Sequence, residues 1–228
     1  MKKVAVIVAG GTGTRMGSQL PKQFLLLHDK PVLYYTLKTF LEAFDDMRII
    51  LVLPEDYIDM GREIIDAYFD GSRILITAGG ETRFDSVKNG LRLIQEECIV
   101  FVHDAVRCLV TTDLIQRCYQ NALLLGSAVP AIRSRDSIRI LNEEENDNEV
   151  LDRNRIVMVQ TPQTFHSKIL LPAFEIDFKE RFTDEATVVE TFGLKISLVE
   201  GEETNIKITR PADLLIASAL LQEIYQNS

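Results

Sequence analysis

The feature that most constrains this chain is a repeated alternation. Short apolar runs of strand length, most of them closed by glycine or proline, are separated by stretches whose apolar residues recur at helical spacing. Val4 to Ala9 ends in Gly10-Gly11, Arg48 to Leu53 is stopped by Pro54, Arg73 to Thr77 is followed by Gly79-Gly80, and Ile99 to His103 runs into Asp104. Between them Pro31 opens a helix through Val32, Tyr35, Thr39 and Phe40. Tyr57, Met60, Ile64 and Tyr68 mark a second helix, Phe84, Val87, Leu91 and Ile94 a third, and Leu114, Cys118, Ala122 and Leu125 a fourth, before a strand over Ser127 to Ile132. Strands that are apolar on both faces belong inside a parallel sheet, joined by right-handed helical crossovers. The pattern predicts an α/β chain with a three-layer, mostly parallel, twisted sheet.

The segment from Ser134 to Arg155 breaks the pattern. Ile138, Ile140, Val150 and Leu151 flank the polar stretch NEEENDNE, which reads as a protruding β-arm with a solvated tip. Its apolar base needs a partner, either the parent sheet or another subunit. Beyond it, strands are expected near Ile156 to Val159, Lys195 to Val199 and Asn205 to Ile208, with helices near Lys168 and Ala186. Pro211 opens a terminal amphipathic helix carrying Leu214, Leu215, Leu221 and Ile224. With no internal repeat and no linker, residues 1–228 read as one domain with an arm insertion at about 134–155.

At 228 residues the chain can bury roughly 70% of its unfolded surface, enough for a core without disulfides or metal staples. The formal net charge of −9 argues against a nucleic-acid-coating surface, although Glu143, Glu144, Glu145, Asp147 and Glu149 concentrate part of it on the arm. Cys98, Cys108 and Cys118 lack paired metal-binding spacing and fit a reducing compartment. No apolar run approaches the ~20 residues of a membrane helix, and VAVIV after two lysines is too short for a secretory signal. A cytoplasmic protein is expected.

The chemistry concentrates in AGGTGTRMGSQLPKQF, directly after the first strand, at the sheet edge where open α/β folds bind ligands. Its small residues let backbone N–H groups approach an anion, and Arg15 and Lys22 add two cations. The dinucleotide pattern G-x-G-x-x-G fails, since from Gly11 its third glycine falls on Met16, and the Walker G-K-[ST] is missing. A second small-residue turn, Gly79, Gly80 and Ser86, caps the helix after the third strand. Asp104 closes the fourth strand, and a carboxylate there suits Mg²⁺ shared with phosphates. His103 beside it reads as structural rather than as a proton shuttle. Arg153 and Lys207 carry no motif logic alone.

Together with GGETRFDSV, HDAVR, LDRNR, QTPQTF, TDEA and EGEETNIKIT, the AGGTGTRMG…PKQF loop resembles the 2-C-methyl-D-erythritol 4-phosphate cytidylyltransferases, from Val4 to about Leu215. The resemblance implies a Rossmann-like nucleotidyltransferase fold and Mg²⁺-dependent transfer of CMP from CTP to methylerythritol phosphate in the non-mevalonate isoprenoid pathway. It further implies transition-state roles for Arg15 and Lys22, and nucleotide contacts at Ala9, Gly10, Gly11, Thr12, Gly13, Thr14, Gly80, Glu81, Ser86 and Ala105. Acceptor-substrate contacts fall on Arg107, Arg153, Thr161, Thr183 and Lys207, with Asp104 on the metal. The arm is expected to pair across a homodimer and deliver Arg153 to the neighbouring site. Two positions depart from the family pattern: Glu81 stands where aspartate is usual, and Cys108 where proline is usual. A ribitol 5-phosphate cytidylyltransferase, which shares the activator loop, and a catalytically silent nucleotide-binding regulator are the remaining readings. The failed glycine spacing disfavours a nicotinamide dehydrogenase.

Overall fold

The computed structural model describes residues 1–10, 20–142 and 147–226. In chain order the strands and helices are β1 (Lys2–Val8), β2 (Leu26–Leu27), β3 (Lys30–Pro31), α1 (Val32–Ala43), β4 (Met47–Leu53), α2 (Ile58–Tyr68), β5 (Ile74–Ala78), α3 (Arg83–Leu91), β6 (Cys98–Asp104) and α4 (Thr112–Leu125). They continue with β7 (Ser127–Arg133), β8 (Ile138–Asn142), β9 (Asp147–Leu151), β10 (Val157–Val159), β11 (Gln163–His166), α5 (Ser167–Ala173), α6 (Glu185–Thr191), β12 (Leu198–Glu200) and α7 (Pro211–Gln226).

The main sheet has the order β10-β7-β11-β6-β1-β4-β5, with β12 also on β7. β1 runs parallel to both β4 and β6, and β5 is parallel to β4. Side chains alternate between the two faces with period two. Ala5 and Ile7 of β1, Ile49 and Leu51 of β4 and Ile99 and Phe101 of β6 join Leu33, Phe40, Ile64, Leu114 and Cys118 from α1, α2 and α4. On the other face Val4, Val6, Ile50, Val52, Val100 and Val102 meet Phe84, Val87, Leu170 and Val189 from α3, α5 and α6. This is the three-layer α/β architecture expected from the apolar runs. Cys98, Cys108 and Cys118 are all buried and free.

Four expectations need correction. QTPQTF supplies β11, a strand with no apolar alternation, antiparallel to both β6 and β7. It is held centrally because Gln163 and Thr164 are buried and Gln163 bonds to the start of α6. Asn205 to Ile208 is not a ladder strand: Ile208 donates its N–H to Val106 O, and Ile208 packs with Ala217 and Leu221 of α7. The strand expected from Lys195 begins only at Leu198, because the Ser197 N–H is taken by Ser127 Oγ at 2.9 Å. On α7 the buried residues are Ala217 and Leu221, whereas Leu215 and Ile224 face outward.

β10 and β11 form an interrupted antiparallel run along β7. Val159 opposes Ala131 and Thr164 opposes Ala128, so Gln160 to Gln163 lie opposite only Val129 and Pro130. This bulge pushes Thr161 out beside the end of β6, where Asp104 donates its N–H to Thr161 Oγ1 at 3.1 Å. The arm is the two-stranded β8–β9 hairpin, with Ile140, Leu141 and Val150 exposed.

Gly90 sets how closely α3 lies on the sheet. A Cβ there would sit 2.7 Å from Val6 Cγ1 and 3.1 Å from Val52 Cγ2, both on stiff β-branched side chains. Gly90→Ala is therefore expected to lower the unfolding free energy by about 1–3 kcal/mol in urea titrations, despite alanine's better helix propensity. An unchanged or raised urea midpoint would show that α3 can lift without cost.

Candidate active site at the carboxyl edge of the sheet

Two small-residue turns and the end of β6 converge on one edge of the sheet. Thr82 caps α3 reciprocally: its Oγ1 accepts the Asp85 N–H at 3.1 Å, and Asp85 Oδ2 accepts the Thr82 N–H at 3.2 Å. One turn on, the buried Ser86 hydroxyl donates to Thr82 O and accepts the Gly80 N–H at 3.1 Å. A Cβ on Gly79 would come within 2.9 Å of Ser86 Oγ, and one on Gly10 within 3.2 Å. Glycine at both positions thus lets the β1 and β5 ends close on one serine. Gln23, also buried, donates to Ala9 O at 2.6 Å and ties the segment carrying Lys22 to the end of β1. The result is a cavity of about 390 Å³ whose wall includes Ala9, Gly10, Lys22, Gly80, Glu81, Ser86, Asp104 and Lys207.

Asp104 is 7% exposed and surrounded by cations. Arg83 Nε donates to Oδ1 at 3.2 Å, Lys207 Nζ lies 2.8 Å from Oδ2, and Arg107 Nε lies 3.9 Å from Oδ2. Burial raises the Asp104 carboxyl, but the charges of Arg83 and Lys207 outweigh it and hold the group well below the usual carboxylate range. Behind Arg83 stands Glu185, fully buried, with Oε1 at 2.5 Å from Nη1 and Oε2 at 3.2 Å from Nη2. Burial pulls Arg83 down and the two carboxylates more than reverse it, so the guanidinium stays charged. A second cavity of about 180 Å³, lined by Arg83, Asp104, Arg107, Thr161, Thr183 and Lys207 among others, opens on the far side of the same group. Asp104, Arg83 and Lys207 are therefore the wall between two adjoining polar cavities.

Over residues 3–223 the chain matches the profile of the family described as IspD, 2-C-methyl-D-erythritol 4-phosphate cytidylyltransferase. It is 47% identical over 221 residues to the protein of that name from Bacteroides fragilis, covering 97% of this chain and 100% of the relative. Against the Clostridium botulinum (strain Langeland) protein of the same name, identity is 40% over 228 residues, covering 98% and 99%. The chain belongs to the 2-C-methyl-D-erythritol 4-phosphate cytidylyltransferase family. Solved structures agree: the 4-diphosphocytidyl-2C-methyl-D-erythritol synthase of Anaerococcus prevotii superposes with TM-score 0.83 at 30% identity, covering 97% of this chain and 96% of the other. The Thermus thermophilus 2-C-methyl-D-erythritol 4-phosphate cytidylyltransferase gives TM-score 0.77 at 30% identity, covering 97% and 100%.

In this family member the structure brings together most of the residues singled out in the sequence. Ala9, Gly10, Lys22, Gly80, Glu81 and Ser86 surround the first cavity, Arg107, Thr161 and Thr183 the second, and Asp104 and Lys207 both. Arg15, Gly11, Thr12, Gly13 and Thr14 lie outside the described residues. The methyl of Ala105 is in the core, its N–H goes to Val8 O and its carbonyl accepts from Thr36 Oγ1, so its polar groups serve the fold. Arg153 sits exposed at the foot of the arm, donating to Arg135 O at 2.9 Å and lining neither cavity. Sequence reasoning missed Arg83, Glu185 and Gln23 as site residues. Besides its place in the TDEA block, Glu185 left one local signal, an acid placed just ahead of the apolar Ala186, Val188 and Val189 on a helix that buries them all.

His103 fits the structural role expected of it. Its Nε2 lies 3.2 Å from Arg107 O, which can only accept, so Nε2 carries the proton and Nδ1 accepts from the Thr161 hydroxyl at 3.0 Å. That hydroxyl in turn accepts the Asp104 N–H, so Thr161 positions the Asp104 backbone. Burial pushes the imidazole pKa down to about 3. The folded chain therefore binds fewer protons at His103 than the unfolded chain below pH ~6.5, and stability is lost as the pH falls through that range. We expect an unfolding free energy that drops by up to about 1.4 kcal/mol per pH unit from this group between about pH 6.5 and about pH 3. Asp104 adds its own loss only below ~3.8, at the lower end of the His103 window. Urea titrations with chelator present check this, since His103→Gln should flatten the slope between about pH 6.5 and about pH 5; an unaltered slope would place the titration elsewhere.

Proposed function

We propose that this chain transfers CMP from CTP to 2-C-methyl-D-erythritol 4-phosphate, giving 4-diphosphocytidyl-2-C-methyl-D-erythritol and pyrophosphate in the non-mevalonate isoprenoid pathway. The observation that carries the reading is the pair of polar cavities meeting at Asp104, Arg83 and Lys207, one built on glycine turns and the other on cations and two threonines. CTP fits the first, its base against the Gly80–Ser86 turn. The acceptor phosphate fits the second, facing Arg107, Thr183 and Lys207.

An acceptor phosphate oxygen attacks the α-phosphorus of CTP in line, the bond to the bridging α–β oxygen breaks, and that oxygen leaves with pyrophosphate. The attacking phosphate is already an anion, so no general base is needed, and catalysis rests on placement and charge stabilisation. Lys22, together with Arg15, meets the charge that grows on the leaving group. Asp104 suits a divalent cation such as Mg²⁺: it is ionised, it lines both cavities, and Mg²⁺ takes one or two carboxylates and fills its remaining positions with phosphate oxygens and water. Among the described residues no group of three or more His, Cys, Asp or Glu forms an all-protein metal cage, consistent with that division. When bound, the ion neutralises phosphate charge as the bond order shifts.

Arg153 completes the acceptor site from a second copy of the chain through the β8–β9 arm, whose exposed Ile140, Leu141 and Val150 suit a homodimer. Among the described residues no helix is long and apolar enough to cross a membrane.

Pyrophosphate release with CTP and Mg²⁺ is expected with methylerythritol 4-phosphate and to stop with chelator; release only with ribitol 5-phosphate would overturn the acceptor assignment, and CTP binding without release would favour the silent regulator. Lys22→Ala should lower kcat by ~10²–10³ with a thermal midpoint close to the parent's; a variant that merely melts removes Lys22 from the mechanism. Lys22→Ala and Arg153→Ala, each inactive alone, should recover about a quarter of parental activity after subunit exchange, since half the dimers are mixed and each mixed dimer holds one complete site. No recovery would place Arg153 in its own subunit's chemistry or outside it.

A further inference from the structure

The first residue of α3 and the first residue of α6 are ion-paired across the site. Arg83 faces Glu185 through Nη1 and Nη2 and Asp104 Oδ1 through Nε, with Nη2 also 3.2 Å from that oxygen. Thr82 caps α3, whose first turns line the nucleotide cavity; Asp184 caps α6 and lines the acceptor cavity. Glu185 is fixed to the sheet from both sides, because the buried Gln163 of β11 donates to Asp184 Oδ2 at 2.9 Å and accepts the Ala186 N–H at 2.8 Å. Its carboxylate touches neither cavity and is completely buried, so binding substrate is not its task.

We propose that Glu185 is a positioning residue that sets the nucleotide and acceptor cavities in register: it holds Arg83 as a strut between α6 and α3 and thereby aims the Asp104 carboxylate. The planar guanidinium makes this work, since it presents donors in two directions at once and a lysine ammonium reaching one carboxylate leaves the other. Glu185 also offsets the Arg83 charge, so Asp104 is not drawn wholly onto Arg83 and keeps Oδ2 for Lys207. The occupants named for the two cavities rest on the cytidylyltransferase reading; the strut itself rests on the geometry.

The test uses Glu185→Gln in the full chain, with CTP affinity measured calorimetrically without acceptor and kcat and KM measured for both substrates. Glutamine keeps the shape and loses the charge and one acceptor oxygen. Expected are a thermal midpoint within a few degrees of the parent and a joint rise of about tenfold in CTP Kd and acceptor KM, since a charge-assisted bidentate contact is lost. Glu185→Asp, which keeps the charge, should recover part of both. A purely structural role predicts the opposite pattern, a lower midpoint and less active protein with Kd and KM unmoved, and that result overturns the proposal, as does a rise in only one of the two. If Glu185→Gln does not fold, Arg83→Lys carries the same expectation; if neither folds, the pair serves the fold and the proposal falls. A parent protein that binds CTP but does not turn over methylerythritol phosphate would refute the proposed function, while calorimetric Kd values of Glu185→Gln for CTP and for a phosphomonoester would still decide the strut.

Discussion

Everything at this site depends on keeping one carboxylate ionised at the end of the central strand β6. Asp104 is nearly buried, and an unpaired charge there would simply take up a proton. Three cations from three parts of the chain prevent it: Arg83 from α3, Arg107 from the loop after β6, and Lys207 from the segment before α7. Each has to be delivered to the same few ångströms, and the delivery explains local features that look unrelated. The Thr82–Asp85 capping box fixes where α3 starts, the bulge at Gln160 to Gln163 places Thr161 under the Asp104 backbone, and the buried Asn205 anchors the Lys207 segment by donating to Thr161 O.

Much of this was legible in the sequence, and the exceptions have physical reasons. The parallel core strands could be read because burial on both faces demands unbroken runs such as VAVIV and IILVL. β11 could not, since Gln163 and Thr164 are polar and sit in the core only through hydrogen bonds to distant partners. The Asn205 to Ile208 stretch misled in the other direction: its spaced isoleucines do face apolar neighbours, but those belong to a helix and loop, not to a ladder partner.

Within the site the same division holds. Backbone-shaping residues announce themselves locally, because a turn that must admit Ser86 against Gly10 and Gly79 has to be written in glycines. Long-range ion pairs do not. Arg83 and Glu185 lie 102 residues apart, and nothing in either local pattern names the other. Glu185 stood inside the recognised TDEA block, but locally it showed only as an anomaly, an acid ahead of buried alanine and valines. Thr161 shows the converse, since its motif was recognised while its hydroxyl faces His103 and the Asp104 backbone.

The charges on the described walls also say what else the reaction needs. Lys22, Arg83, Arg107 and Lys207 are matched by Glu81, Asp104 and Asp184 on the cavity surfaces and by Glu185 behind Arg83. Such a surface is close to neutral, whereas a nucleoside triphosphate and a phosphomonoester arriving together bring several negative charges into a low-dielectric cleft. A wall that was strongly cationic before substrate arrived would have to be held against its own repulsion. A neutral wall avoids that cost but leaves the incoming phosphates to be balanced by groups that come with them or lie outside these walls. In the proposed reaction those groups are the divalent cation, Arg15, and Arg153 of a second copy of the chain. Positive charge that arrives with the substrates, as a divalent cation would, stabilises the bound and reacting states without burdening the empty site.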